Sequence, residues 1–491
     1  MRKNGRFKKF ICLVPVLLCF LLAGCKEEAV VADTPKSEDR EIVKKTMLEE
    51  PETEYEVEPM HPSVLVDLDG YFFEDAKEAV VVSDSLPSSF YLVNAETGEN
   101  VLRGNVEVCD TTYSEDLKAG IMDFSEITEE GKYYIQTELL GQSNVFEIKS
   151  EKYELLFKKV FLKMNALRCQ GCHSRSIPFE SDPSVMCDVS GGWHTGDGGA
   201  RDVAEGANGA LTLLTAYELF KPSFSDEAGI RESGNGIPDV IDEIRFEIEW
   251  LKKMQNPETG GVYNSVSLQN VGATDEKALM IGGESTRATA YFCAAMAKFS
   301  FVYKAFDYDY AADCLSKAAF AWKCLSSNKD IVSDSLMYRA AVEMYRATGK
   351  AEYNEVILKF LSVNSSNDFE SPEMLDGAVT YISTKRSINA NYCYNLMSTF
   401  MSNTKSHSDL SEESPLLVRL GEELDENDYI QDLKEYAIID FILSNVGYTS
   451  TEKNYIHYLC GRNILSKDYF EFDYNPSDRA KLVLLLAKMV E

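Results

Sequence analysis

Gly234-Asn235-Gly236-Ile237-Pro238-Asp239-Val240-Ile241-Asp242-Glu243, running on to Trp250-Leu251-Lys252-Lys253-Met254-Gln255, is the stretch whose reading decides the fold. The glycines make a turn and Pro238 marks a helix start. Asp239, Asp242 and Glu243 then fall in the first turn, where the helix dipole favours carboxylates, and apolar residues follow along one face. Outward from it the same helical spacing recurs. It predicts helices over Ala210–Phe220, Ile237–Gln255, Arg287–Lys304, Tyr310–Leu325, Met337–Thr348, Tyr353–Leu361, Ile430–Leu443 and Arg479–Val490. Residues 151–491 therefore read as an all-helical domain.

Upstream the texture differs. Between His61 and about Lys149 the apolar runs are short, as in Ala79-Val80-Val81-Val82, Ser89-Phe90-Tyr91-Leu92-Val93 and Gly131-Lys132-Tyr133-Tyr134-Ile135. Asn, Gly, Asp and Ser break them at short intervals, so residues 61–150 read as a small antiparallel β-sandwich. Residues 26–60 contain no Gly and only one aromatic, Tyr55, among many charged residues. Such a segment cannot bury enough apolar surface to order itself, and it reads as a tether with a reach of roughly 30–35 Å.

Residues 1–24 hold five basic residues and no acid, followed by an apolar run from Phe10 to Leu22 that is too short to span a bilayer. This reads as a secretory leader. Leu21-Leu22-Ala23-Gly24-Cys25 resembles a bacterial lipobox, which implies cleavage before Cys25, lipidation of that residue, and a protein anchored at the extracellular face of the bacterial cytoplasmic membrane. Loss of the leader removes five positive charges from a net of −31. A surface that acidic repels nucleic acid and anionic lipid, so the lipid is the expected membrane contact and a monomer the expected state.

Several ordered motifs together carry a family resemblance: the 234–255 stretch, Asp123-Phe124-Ser125 with Gly131-Lys132-Tyr133, Tyr338 to Gly349, and Tyr458-Leu459-Cys460-Gly461-Arg462-Asn463. The chain resembles glycoside hydrolase family nine, the inverting endoglucanases, over residues 65 to 463. That resemblance implies an (α/α)6 barrel behind an immunoglobulin-like sandwich, and hydrolysis of β-1,4-glucan or a related polysaccharide or oligosaccharide. It implies no organic cofactor. Only 28 residues follow Asn463 and no His lies beyond His457, so a His/Arg subsite segment of the family has no counterpart.

Inverting hydrolysis needs one carboxylate to activate water and one carboxylic acid to protonate the leaving oxygen, roughly 6.5–9.5 Å apart. The family holds its water with two aspartates in a Trp-x-Asp-Ala-Gly-Asp loop. Here Trp193-His194-Thr195-Gly196-Asp197 is one residue shorter. The resemblance makes Asp197 the base, with Asp202 a weaker candidate, and either way of aligning the loop breaks the aspartate pair. Matching Asp473-Tyr474-Asn475 to the family's Asp-Tyr-Asn puts Tyr469 where the acid belongs. Glu471, Asp473 and Asp468 are then the carboxyls available as the acid.

Cys169-Gln170-Gly171-Cys172-His173, Cys187 and His194 place three thiols and two imidazoles within 26 residues. Thiolates and imidazole at such spacing suit tetrahedral, structural zinc, with Cys169, Cys172, Cys187 and His194 as the ligand set. The family similarly holds a structural zinc before its catalytic loop, although Asp188 stands where a ligand His is usual. A disulfide is the alternative outside the cell. Trp193 and Tyr263 are the candidate stacking platforms for sugar, whereas Trp250 and Trp322 sit at core spacing. Beside the hydrolase stand two other functions: a catalytically impaired glycan-binding lipoprotein on the same fold, and a surface scaffold.

Overall fold

The computed structural model describes residues 62–171, 175–271, 276–328, 331–364, 372–421, 424–444 and 447–491. The expected leader, Cys25, the expected tether and Cys172 lie outside the described residues.

The described residues open on ten strands. One sheet has the order β1 (Val64–Leu65), β3 (Glu78–Ser83), β7 (Lys118–Asp123), β6 (Glu107–Val108). The facing sheet runs β2 (Tyr71–Phe72), β10 (Phe146–Lys149), β8 (Gly131–Thr137), β4 (Ser89–Asn94), β5 (Asn100–Asn105), with β9 (Gly141–Gln142) on β8. All pairings are antiparallel except β2 with β10. The run Ala79-Val80-Val81-Val82 lacks the alternation of a half-exposed strand because β3 is buried on both faces. Ala79 and Val81 join Phe90, Leu92, Met122 and Phe146 in the sandwich core, while Val80 and Val82, with Leu65 and Ala119, join the core of the helical part.

Twelve helices follow among the described residues: α1 (Lys152–Asn165), α2 (Val203–Leu219), α3 (Asp239–Lys253), α4 (Thr286–Tyr303), α5 (Tyr308–Ser327), α6 (Asp334–Thr348), α7 (Ala351–Asn364), α8 (Pro372–Ser383), α9 (Ala390–Glu412), α10 (Glu426–Leu443), α11 (Thr449–Leu459) and α12 (Pro476–Met489). Burial sorts them into two rings. Helices α2, α4, α6 and α12 are buried on almost every side, whereas α5 buries only Ala311, Cys314, Ala318, Ala321, Trp322 and Leu325, the single stripe of an outer helix. The inner ring packs in the order α2–α4–α6–α8 and α10–α12–α2, and an Asp376–Lys434 ion pair of 2.7 Å joins α8 to α10. This is an (α/α)6 barrel.

The eight expected helices form within a few residues of their expected bounds, except that α2 begins seven residues earlier, at Val203. The helical part also carries short strands. These are β11 (Ser176–Pro178), β12 (Met186–Asp188), β13 (Arg201–Asp202), β14 (Ser265–Asn270) and β15 (Lys277–Ile281). All of them lie in connections between helices.

Sandwich and barrel meet through buried charge. Lys152, the first residue of α1, donates to Asp67 Oδ2 and to the Gly70 carbonyl, and His457 Nδ1 lies 2.6 Å from the same Asp67 oxygen. Burial alone would lower the Lys152 pKa; Asp67 reverses this and holds the ammonium charged. The Leu68 amide also donates to the Cys460 carbonyl at 2.7 Å.

Candidate active site

The loop from Val189 to Asp202 is held from beneath by α3. Residues 167–169 and 192–194 form a short antiparallel bridge, with the Cys169 amide on the Gly192 carbonyl and the His194 amide on the Leu167 carbonyl, both at 2.8 Å. Two carboxylates of α3 hold Trp193: its amide donates to Glu247 Oε2 and its indole Nε1 to Glu243 Oε1, each at 2.7 Å. Glu243 also accepts from Arg168 Nε at 3.1 Å. Arg201 reaches back to the Val189 and Gly191 carbonyls at 2.7 and 2.6 Å, and Lys253 donates to the Ser190 carbonyl at 2.7 Å. Burial lifts the Glu247 carboxyl to about 8, against the pull of the Trp193 amide and Arg201.

Beyond this frame the chain makes a 3-10 turn, Asp197–Gly199, closed by the Thr195 amide on the Ala200 carbonyl at 2.9 Å. Gly198 takes φ 65° there, and a Cβ at that position would come within 2.7 Å of Leu268. Asp197 stands exposed at the tip of the turn. Asp202 is used differently: it caps α2 by accepting from the Glu205 amide at 3.0 Å.

The segment before α12 enters the barrel at the same end. Asn208 in the second turn of α2 donates to Ser477 Oγ at 2.7 Å, so α2 and α12 start side by side. Asn475 caps α12 through the Asp478 amide, and Asp473 is exposed two residues earlier, with Arg479 among its neighbours. Glu471 does not meet the expectation of a proton donor. Its two oxygens lie 2.5 Å from Lys159 and from Lys163 on outer helix α1, and hydrogen bonds from these lysines hold its carboxyl at about 2. Asp468 caps the short turn Tyr469–Glu471 through the Phe470 amide at 2.9 Å, and burial raises its carboxyl.

Trp193 is a second correction. The ring is fully buried and its one polar atom is taken by Glu243, so it supports the loop and cannot stack on a sugar. Tyr263 is partly exposed and packs edge-on against Phe179 at 4.9 Å. Glu243 and Glu247 were legible as a pair four residues apart on the apolar face of α3, where a carboxyl needs a buried partner.

Among the described residues no group of three or more His, Cys, Asp or Glu is arranged to hold a metal. Cys169 and His194 belong to the bridge under the loop, whereas Cys187 lies in β12 opposite Ile177. Asp188 is occupied in a turn, accepting from the Ser190 amide and hydroxyl at 2.9 and 2.7 Å. The described thiols and imidazole do not by themselves complete a tetrahedral zinc set.

The site is thus an exposed aspartate turn at the end of a two-ring helical barrel where the inner helices begin, behind a β-sandwich. The chain belongs to Glycosyl hydrolase family 9, whose profile matches residues 160–474, and the Cellulase N-terminal ig-like domain matches residues 60–142. Endoglucanase D of Acetivibrio thermocellus is 28% identical over 329 residues, covering 58% of this chain and 51% of that protein. A cellodextrinase of Butyrivibrio fibrisolvens is 28% identical over 290 residues, covering 54% and 52%. The chain thus spans about half the length of these curated relatives. Among solved structures, a family 9 protein of Bacteroides ovatus superposes with a TM-score of 0.73 at 18% identity, covering 87% of this chain and 98% of that one, which establishes the shared fold.

Proposed function

We propose that this protein hydrolyses β-1,4-linked glucan or a related polysaccharide with inversion. Asp197 removes a proton from the water whose oxygen bonds to the anomeric carbon; as the glycosidic C–O bond breaks, Asp473 gives its proton to the leaving oxygen. The observation that carries this reading is the placement of Asp197, exposed on a turn whose base is fixed by Glu243, Glu247 and Arg201. Asp473 is the acid of choice because Lys159 and Lys163 neutralise Glu471. Reducing ends released from soluble glucan test the proposal. Asp197→Asn should lower the rate by about a hundredfold or more, and an unchanged rate removes Asp197 from the reaction. Asp473→Asn should lose activity on glucan but keep it on an aryl glycoside whose leaving group needs no proton.

A second reading is glycan capture without turnover, favoured by Tyr469 standing at the family's acid position and by the locked Glu471. Oligosaccharide should then raise the melting temperature while wild-type protein forms no product. We further propose that a lipid on Cys25 holds the protein at the extracellular face of the cytoplasmic membrane, and that a structural zinc uses Cys172. Fractionation of a Cys25→Ser variant tests the first, and metal analysis of the purified protein the second; membrane retention of the variant, or zinc well below one equivalent, rejects them.

A further inference from the structure

At the end of the barrel opposite Asp197, the last turns of α2, α4, α6 and α8 surround a cavity of about 610 Å3. Five cations line it: Lys298, Lys304, Arg346, Lys385 and Arg386. Among the described residues Glu218 is the only carboxylate in the lining, and Glu343 lies buried beneath. Arg346 grips Glu218 at 2.8 Å and Glu343 at 3.0 Å, and Lys298 stands 3.3 Å from Glu218 and 3.5 Å from Glu343. Two carboxylates therefore face five cations, in a chain whose net charge is −31.

The carbonyl ends of the inner helices attract basic side chains, and some of this charge serves them. Two features go beyond that. Lys304, Lys385 and Arg386 stand exposed at the mouth with no carboxylate partner among the described residues. Phe301 and Phe441 line the same cavity, with the Lys304 ammonium 4.4 Å and the Arg346 guanidinium 4.5 Å from the Phe301 ring, and Phe441 40% exposed. Phe441 thus offers a partly open ring beside cations that can hold an acid.

We propose that this cavity binds an anionic sugar, a mono- or disaccharide carrying a carboxylate or a phosphate. Its volume lies within the range of small-molecule sites. The sugar ring packs on Phe441, and the anionic group sits among Lys304, Lys385 and Arg386 at the mouth. The site is separate from the Asp197 loop and does not depend on turnover there.

Calorimetric titration of the full chain with cellobiouronic acid, glucose 1-phosphate and neutral cellobiose tests it, at low and at raised sodium chloride. Saturable binding of either acid, weakened by salt, is expected, and which acid binds identifies the charged group. The double variant Lys304→Gln, Lys385→Gln alters two exposed side chains that have no carboxylate partner among the described residues, and should keep the wild-type melting temperature. It should weaken binding of the acid by about fivefold or more while leaving any cellobiose binding in place. Absence of saturable binding by both acids in the wild type, or an affinity unchanged in the double variant, overturns the proposal.

Discussion

Glu247 is buried under the Trp193 amide with its carboxyl at about 8, so it is protonated in the folded protein at neutral pH. In the unfolded chain the same group ionises near 4.5. Its contribution to stability is therefore complete below the unfolded value, declines as pH rises from there, and is gone above about 8. Glu247→Gln mimics the protonated form and should leave stability at pH 5 nearly unchanged while flattening the fall in melting temperature between pH 5 and 8. Glu452, lifted by burial to about 7, titrates in the same window, so part of the slope remains. An unaltered slope in the variant would mean that Glu247 is ionised in the fold. Trp193→Phe keeps the buried ring but leaves Glu243 Oε1 without the indole donor, and should cost about 1–3 kcal/mol in urea unfolding.

The loop and the helices that hold it form one element-scale unit. Gly192 sits at φ 81°, and a Cβ there would fall 2.5 Å from the Trp250 ring, so the turn can lie on α3 only without a side chain. Gly192→Ala should destabilise by about 2–4 kcal/mol and displace the Asp197 turn, read as a lowered melting temperature. Much at this scale was legible in the sequence. Inner helices α2, α4, α6, α10 and α12 are rich in apolar residues and start at capping side chains, α3 starts after Pro238, a glycine follows α6, and the sandwich announces itself by short β-branched runs, whereas α1 and inner helix α8 are not among the expected helices. Helix α9 is rich in Ser, Asn and Thr and α11 opens on polar residues, so their stripes of Cys393, Leu396, Phe400 and of Tyr455, Ile456, Leu459 are too thin to single out. The site was legible as a loop and not as a pair. Glu471 looked like a free acid because its partners Lys159 and Lys163 lie about 310 residues earlier, and the neutralising contact exists only after α1 has packed beside α12. Trp193 looked like a platform because the carboxylates that bury it belong to a helix 50 residues on.

At the scale of the molecule, β3 makes the sandwich and the barrel interdependent. Val81 belongs to one core and Val80 and Val82 to the other, so neither core is complete without the strand between them. The junction is then locked by charge: Lys152 from the barrel reaches Asp67 in the sandwich, whose other oxygen accepts from the Asp69 and Gly70 amides at 2.9 and 3.0 Å, and His457 abuts the same carboxylate. Burial drives the His457 pKa well below its ordinary value and Lys152 lowers it further, so the ring is neutral at pH 7 and Lys152 is the counter-charge that matters. Lys152→Met leaves Asp67 buried and uncompensated, and should cost about 3–5 kcal/mol. Adding Asp67→Asn removes the stranded charge while keeping an acceptor for the Asp69 and Gly70 amides, so the double variant should recover most of that loss. Because the strand is shared, both variants should still unfold in a single urea transition, followed in parallel by far-ultraviolet circular dichroism and tryptophan fluorescence, with all three tryptophans in the barrel. A circular dichroism midpoint separated from the fluorescence midpoint would mean that the sandwich melts on its own and that the buried pair fastens two independent domains. A Lys152→Met variant as stable as the wild type would mean that Asp67 is protonated in the fold and needs no counter-charge.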